Sequence, residues 1–298
     1  MSAYAVVNME ASGFAEHGSS GLSDMLERAF ADRDVPLTVE IVRGREMPQA
    51  MSRAAASEAG LLIVGGGDGS IRTAAKIAMD CGKTLGIWPG GTLNRFAWDL
   101  NMPADLAEAA GVLAEGETFA VDVLDLNGEP VLCQCFLGLT PHFPATRQSM
   151  RGKPFGTRMK GYGQALRQIF RARRRLALKI DDGREARAVR ALNVAVSNNP
   201  FGPELTPMPR RDRLDSGKLG LYVSRHRSGW EMVWLLVRAA AGDWREDPMV
   251  SAVVADQVQI TSKASRLLAS VDGDIERLRP PLTFRMRPRA LKVIRPAA

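Results

Sequence analysis

Cysteine, histidine and aromatic residues are scarce in this 298-residue chain, and each scarcity excludes something. The three cysteines are Cys81, Cys133 and Cys135, two of them one residue apart. That spacing suits one face of a strand rather than a disulfide framework, so all three read as reduced thiols. The three scattered histidines, His17, His142 and His226, supply no partner set for zinc at Cys133 and Cys135. No apolar run approaches the roughly 18 to 20 residues that cross a bilayer, and no basic-then-apolar leader opens the chain, which predicts a cytoplasmic protein. Neither the GxxxxGK[ST] phosphate loop nor GxGxxG occurs, which argues against a P-loop enzyme and a dinucleotide dehydrogenase. Acidic residues are absent between Glu129 and Asp181.

What remains is an ordinary globular composition, 45% hydrophobic and 24% charged, with a net charge of +7 that favours an anionic partner. The length predicts two domains. Over the first hundred residues, apolar runs alternate with helical patterns: Tyr4 to Val7, a helix around Leu22 to Phe30, Leu37 to Val42, a helix over Pro48 to Ala59 and Leu61 to Val64. A helix over Ser70 to Cys81, the run Leu85 to Trp88 and helices on either side of Pro103 continue the rhythm. This predicts a mostly parallel, helix-flanked sheet over 1–120. From Phe119 the period falls to two, and Asn127-Gly128, Asp182-Gly183 and Asp272-Gly273 are hairpin signals. Residues 121–298 are therefore expected to be antiparallel strands with helical insertions near 158–175 and 228–241.

The segment Leu61 to Ser70, LLIVGGGDGS, runs from an apolar strand through glycines into a helix. Glycines allow close backbone approach, and free N–H groups at a helix start attract phosphate oxygens. Asp68 within that loop would repel a phosphate unless a cation lay between them, which points to a Mg²⁺-nucleotide; an aspartate serving only as a helix cap is the alternative. A second such loop, PGGTLNRFAWDLNMP from Pro89 to Pro103, follows the next strand and carries Gly91, Thr92 and Asn94. In an open parallel sheet both loops can face one ligand beyond the strands' carboxyl ends.

These two segments resemble the catalytic domain of the diacylglycerol kinase family, shared with sphingosine kinases, ceramide kinases and bacterial lipid kinases. The family's GGDGT is matched by Gly66, Gly67, Asp68, Gly69 and Ser70, and its P-x-GT-x-NDFA-x-x-L-x-[IM]-P by Pro89, Gly91, Thr92, Asn94, Phe96, Ala97, Leu100, Met102 and Pro103. Lys160 to Phe170, Asn198 to Val223 and Ser270 to Leu278 are similar to later family segments, and the NAD kinases are a more distant likeness. The resemblance implies a doubly wound, Rossmann-like N-terminal domain and a β-sandwich-like C-terminal domain, with the active site in the cleft between them. It implies ATP and Mg²⁺ as cofactors, a lipid hydroxyl as acceptor, Asp68 and Asp215 as metal-linked carboxylates, and Asp272 as general base with Asp274 where glutamate is usual.

Departures accompany the matches. The first loop, NMEASGFAEHG, keeps Asn8, Ser12 and Gly13 but has Phe14 where the family has lysine; Thr73 and Arg95 replace acidic residues, and Ser216 replaces the second aspartate of DDG. Arg95 could supply the cationic phosphate partner that Phe14 cannot be, since guanidinium binds phosphate well. Eleven cations between Arg147 and Lys179 are interleaved with Tyr162, Leu166, Ile169 and Phe170 at helical spacings. That pattern predicts peripheral contact with an anionic membrane surface, at the inner face of the membrane, and not with nucleic acid, for which no recognition module is evident; a solvated helix packed by its apolar face is the alternative. The expected activity is a lipid kinase using diacylglycerol by default, or ceramide or a sphingoid base. A catalytically weak lipid-binding protein and an NAD kinase-like enzyme with a soluble acceptor are the rival readings. The sequence carries no signal for an oligomeric state.

Overall fold

A computed structural model describes residues 2–138, 175–202, 210–226, 230–231 and 247–297. The chain forms two compact units, one of residues 1–123 with 288–298 and one of residues 124–287. A division at 120 that gave the whole C-terminus to the second domain therefore needs one correction: Pro288–Ala298 return to the first unit. The expected helical insertions near 158–175 and 228–241 lie almost wholly outside the described residues.

The first unit runs β1 (Ala3–Asn8), α1 (Gly18–Ala31), β2 (Leu37–Val42), a 3-10 turn (Gly44–Glu46), α2 (Met47–Ala56), β3 (Leu61–Gly66), α3 (Asp68–Cys81), β4 (Thr84–Pro89), α4 (Arg95–Asp99) and α5 (Leu106–Glu115), then enters β5 (Glu117–Leu126). Its strands stand in the order β2-β1-β3-β4, all parallel, so the order reverses between β1 and β3. β3 and β4 are buried along their whole length, as interior parallel strands with helices on both faces must be, and their apolar runs lack alternation for that reason. α1 buries Leu22, Leu26 and Phe30, one per turn, and packs beside α5; α3 buries Ile71, Ala74, Ala75 and Ala78 and packs beside α2. Asp105 caps α5 by accepting from the N–H groups of Ala107 and Glu108, both at 2.9 Å. Gly82 ends α3 in the left-handed region that glycine tolerates.

The second unit continues with β6 (Glu129–Val131), β7 (Gln134–Gly138), β8 (Leu176–Asp181), β9 (Ala186–Ala191), β10 (Asn193–Asn198), β11 (Leu219–Ser224), β12 (Val250–Ala255), β13 (Gln257–Ser262), β14 (Leu267–Val271), β15 (Asp274–Leu278) and the start of β16 (Leu282–Arg295). One antiparallel sheet has the order β12-β11-β10-β7-β14-β15. In the other, β13 lies between β8 and the Leu282–Arg285 stretch of β16, and β9 pairs with β8. Leu137, Val196, Leu221 and Ala269 from the first sheet and Ile180, Val258, Ile260 and Phe284 from the second share one apolar core, which makes the unit a sandwich. Asn127-Gly128 and Asp272-Gly273 form two-residue turns with positive φ at both positions, the hairpin geometry their sequences specify. Asp182-Gly183 instead opens a four-residue loop, in which the Asp182 carboxylate accepts from the N–H groups of Arg184 and Glu185.

Candidate active site

Ligands of open parallel sheets sit beyond the strands' carboxyl ends where strand order reverses, which here is the gap between β1 and β3. Three loops meet there: residues 9–17 after β1, Gly67 after β3 and residues 90–94 after β4. They are joined to one another. Gly13 N–H donates to the Gly90 carbonyl at 2.9 Å, and the Ser12 and Thr92 hydroxyls lie 3.2 Å apart. Gly91 and Gly67 approach so closely that a Cβ on Gly91 would lie 2.7 Å from the Gly67 Cα, so the two glycine loops depend on having no side chain at that point. Asn94, at φ 44°, turns its side chain back to accept from Gly91 N–H at 2.7 Å.

Asp68 is the first residue of α3, and its Oδ1 accepts from the N–H of Arg95, the first residue of α4, at 2.8 Å. One carboxylate thus belongs to two helix starts. Ser70 lies against Gly66, and Thr73 donates its hydroxyl to the Gly69 carbonyl at 3.1 Å. Gly66, Gly67, Asp68, Gly69, Ser70, Gly91, Thr92, Asn94 and Ser12, nominated from sequence, accordingly fall on these connected loops. Arg95 does so through its backbone. Its buried guanidinium lies 3.7 Å from Asp99 and 5.0 Å from the Trp98 ring centroid, engaged with its own helix. Phe14 is no gap in the site: it is 1% exposed, its ring centroid 4.8 Å from that of Trp88, and it fills the space beneath Gly90 and Gly65.

In the second unit Asp272 forms the β14–β15 turn at φ 50°. Its carboxylate accepts from three successive backbone N–H groups, Leu132 to Oδ2 at 2.7 Å and Cys133 and Gln134 to Oδ1 at 2.8 and 2.9 Å. Behind them Asn198 donates its side-chain amide to the Leu132 carbonyl, and Arg211 donates Nη1 to the carbonyls of Leu132 and Asn198. Asn199 bonds Asn198 and accepts from both the N–H and the hydroxyl of Ser216. Arg211, Asn198 and Asn199 were not singled out from sequence; two adjacent asparagines at a strand end were the available signal. Cys133 and Cys135 are buried thiols.

Arg53 holds the Glu40 carboxyl below its ordinary range, and Glu40 in turn raises Tyr4. The backbone N–H of Glu185 holds Asp182 below its ordinary range.

Residues 2–126 match the family model of the diacylglycerol kinase catalytic domain, and residues 156–295 match that of the YegS C-terminal NAD kinase beta sandwich-like domain. The N-terminal part of the chain belongs to the diacylglycerol kinase catalytic-domain family. It is a kinase of the lipid kinase, diacylglycerol kinase-like group. A diacylglycerol kinase of Staphylococcus epidermidis is 28% identical over 229 residues, covering 74% of this chain and 70% of that one. A Staphylococcus haemolyticus protein described as a lipid kinase is 24% identical over 241 residues, 80% of this chain and 77% of its own. The fold matches the crystal structure of a diacylglycerol kinase from Bacillus anthracis with a TM-score of 0.72 at 18% identity, over 99% of this chain and 96% of that one.

Set against the diacylglycerol kinase family pattern, the two carboxylates expected to be linked to metal differ. Magnesium is commonly held by one or two carboxylates together with substrate phosphates and water. Asp68, among glycines, hydroxyls and helix N–H groups, is a donor set that fits. Asp215 sits differently: its Oδ1 accepts from Arg213 Nε at 3.1 Å, and the hydroxyl of Ser216 beside it is given to Asn199.

Proposed function

We propose that the protein transfers the γ-phosphate of ATP to the hydroxyl of a membrane lipid, diacylglycerol by default. The observation that carries this reading is the Asp68–Arg95 hydrogen bond, which fastens together the two glycine loops that follow β3 and β4, beside the point where strand order reverses. Phosphoryl transfer asks little covalent chemistry of a protein; it needs alignment and compensation of charge. The N–H groups of the two loops and the hydroxyls of Ser12, Ser70 and Thr92 supply donors for phosphate oxygens, and Asn94 holds the second loop in shape. Asp68 would hold Mg²⁺, which when bound neutralises charge on the β- and γ-phosphates. Asp272 is the carboxylate that the family pattern nominates to take the proton of the acceptor hydroxyl; its three backbone donors fix its position.

Recruitment to the bilayer is assigned to the cationic stretch 147–179, of which 147–174 lies outside the described residues. Each basic residue near an anionic surface adds about 1 kcal/mol, so the run is strong enough to hold a peripheral protein at the inner face of the membrane. Among the described residues no helix is long and apolar enough to cross a membrane.

The decisive assay supplies radiolabelled ATP with Mg²⁺ and, separately, diacylglycerol, ceramide, sphingosine and NAD. Label in a chloroform-extractable product supports the reading and names the lipid. Label on NAD alone, or on none of the four, defeats it.

A further inference from the structure

The three N–H groups that hold Asp272 are consecutive, and in an extended strand consecutive N–H groups point to opposite sides. Leu132 and Cys133 therefore bend between β6 and β7, turning their donors to one side as an anion-holding concavity. Such a bend has to be held from behind. The Leu132 carbonyl accepts from Arg211 Nη1 at 2.6 Å and from Asn198 Nδ2 at 2.9 Å, and the Cys133 carbonyl accepts from Asn198 N–H at 2.9 Å. The Arg211 Nη1 also reaches the Asn198 carbonyl at 2.9 Å, and Nη2 lies 3.6 Å from Cys133 Sγ. One cationic side chain, 3% exposed, thus ties the end of β10 to the bend.

The Leu132 carbonyl and the Cys133 N–H belong to the same peptide group. Arg211 donates to its oxygen while its N–H donates to Asp272 Oδ1 at 2.8 Å. A charge-assisted bond on the carbonyl polarises that peptide and strengthens the bond at its other end. We infer that Arg211 is a positioning residue for the acceptor-activating carboxylate: acting through the Leu132–Cys133 peptide, it sets the placement and hydrogen bonding of Asp272. This rests on the reading of Asp272 as the proton acceptor in lipid phosphorylation. Lysine cannot reproduce the role, because a single ammonium on a different stem does not present the same planar set of donors to two carbonyls and a thiol.

Two measurements test it. In the first, Arg211→Lys is combined with Asp272→Asn and lipid phosphorylation is measured per mole of folded protein. Arg211→Lys alone should lower kcat by about tenfold or more while leaving KM for ATP within about twofold, and should have no further effect on kcat in the Asp272→Asn background, because a residue acting through another loses its effect when the other is gone. An unchanged kcat, or losses that multiply, overturns the assignment. In the second, amide hydrogen exchange is followed in the Arg211→Lys protein, with no need for activity or for Asp272→Asn to fold. Exchange at Cys133 and Gln134 should accelerate about tenfold or more while the amides of β11 and β14 keep their protection; unchanged protection at 133 and 134 overturns the assignment. A wild-type protein that labels no lipid defeats the lipid kinase reading, and the exchange measurement then still decides the placement of Asp272 by Arg211.

Discussion

The ring of Phe14 occupies the space that a side chain on Gly90 would need: a Cβ there would lie 2.2 Å from the ring. Position 14, where the family has a cationic phosphate contact, is therefore a core position in this chain, closed over by Trp88 and two glycine-bearing strand ends. Phe14→Lys should not restore a phosphate contact. It should bury an ammonium group against Trp88 and lower unfolding free energy by several kcal/mol, at least as much as the about 3 to 5 kcal/mol expected of Phe14→Ala. Urea denaturation of the two variants checks this; a Phe14→Lys protein as stable as wild type would show the position to be open to solvent.

Asp68 should respond differently to two substitutions. The amide introduced by Asp68→Asn keeps an oxygen for the Arg95 N–H and removes the charge, so stability should hold while turnover with Mg²⁺ falls by about 100-fold or more. Asp68→Ala should abolish turnover and also cost about 0.5 to 2 kcal/mol of stability, the usual effect of removing a helix cap. Equal stability of the two variants would remove the loop-fastening role.

Gly91→Ala is expected to force the glycine loops apart, because the added methyl would meet the Gly67 Cα at 2.7 Å and the Asn94 Oδ1 at 2.6 Å. Calorimetric ATP affinity should fall by about tenfold or more, with circular dichroism unchanged. Retention of wild-type affinity would place the nucleotide elsewhere.

Asp182 gives a prediction in pH. The N–H of Glu185, then that of Arg184, and the charge of Arg187 at 3.6 Å lower its pKa on folding, against the effect of burial. A carboxyl depressed in the folded state contributes stability above its unfolded pKa and loses it as pH falls through the folded value. Asp182→Asn should therefore cost about 1 kcal/mol near pH 7, and the difference from wild type should shrink steadily as denaturation is repeated at more acid pH. A difference independent of pH would mean that the loop, and not its charge, is at stake.

Much of the first unit was legible because its signals are local. The 3.6-residue recurrence of Leu22, Leu26 and Phe30 and the unbroken run Leu61–Val64 are sufficient to place α1 and β3, and the Asn-Gly and Asp-Gly pairs mark all three hairpins. Asp182-Gly183 also marks a hairpin, whose loop is four residues long because the Asp182 carboxylate accepts from two N–H groups within it. What was not legible depends on distant partners. Arg211 and Leu132 are 79 residues apart, and nothing within either neighbourhood announces the other. Phe14 looked like a missing charge because the motif records which residue is usual there and says nothing of the ring-sized space under Gly90. The bond from Arg95 N–H to Asp68 likewise depends on distant partners, joining two helix starts 27 residues apart.

The return of Pro288–Ala298 to the first unit bears on how the chain is made. Val293 pairs with Leu85 of β4, Arg289 N–H donates to the buried Asp122, and Arg295 pairs with Glu117 while its guanidinium lies over Phe119. The second unit is contiguous from Leu124 to Arg287, so its whole sequence is translated before the segment that returns to the first unit. The N-terminal unit, though begun first, therefore waits for Pro288–Ala298, and without that segment the parallel sheet would lack the strand that pairs with β4.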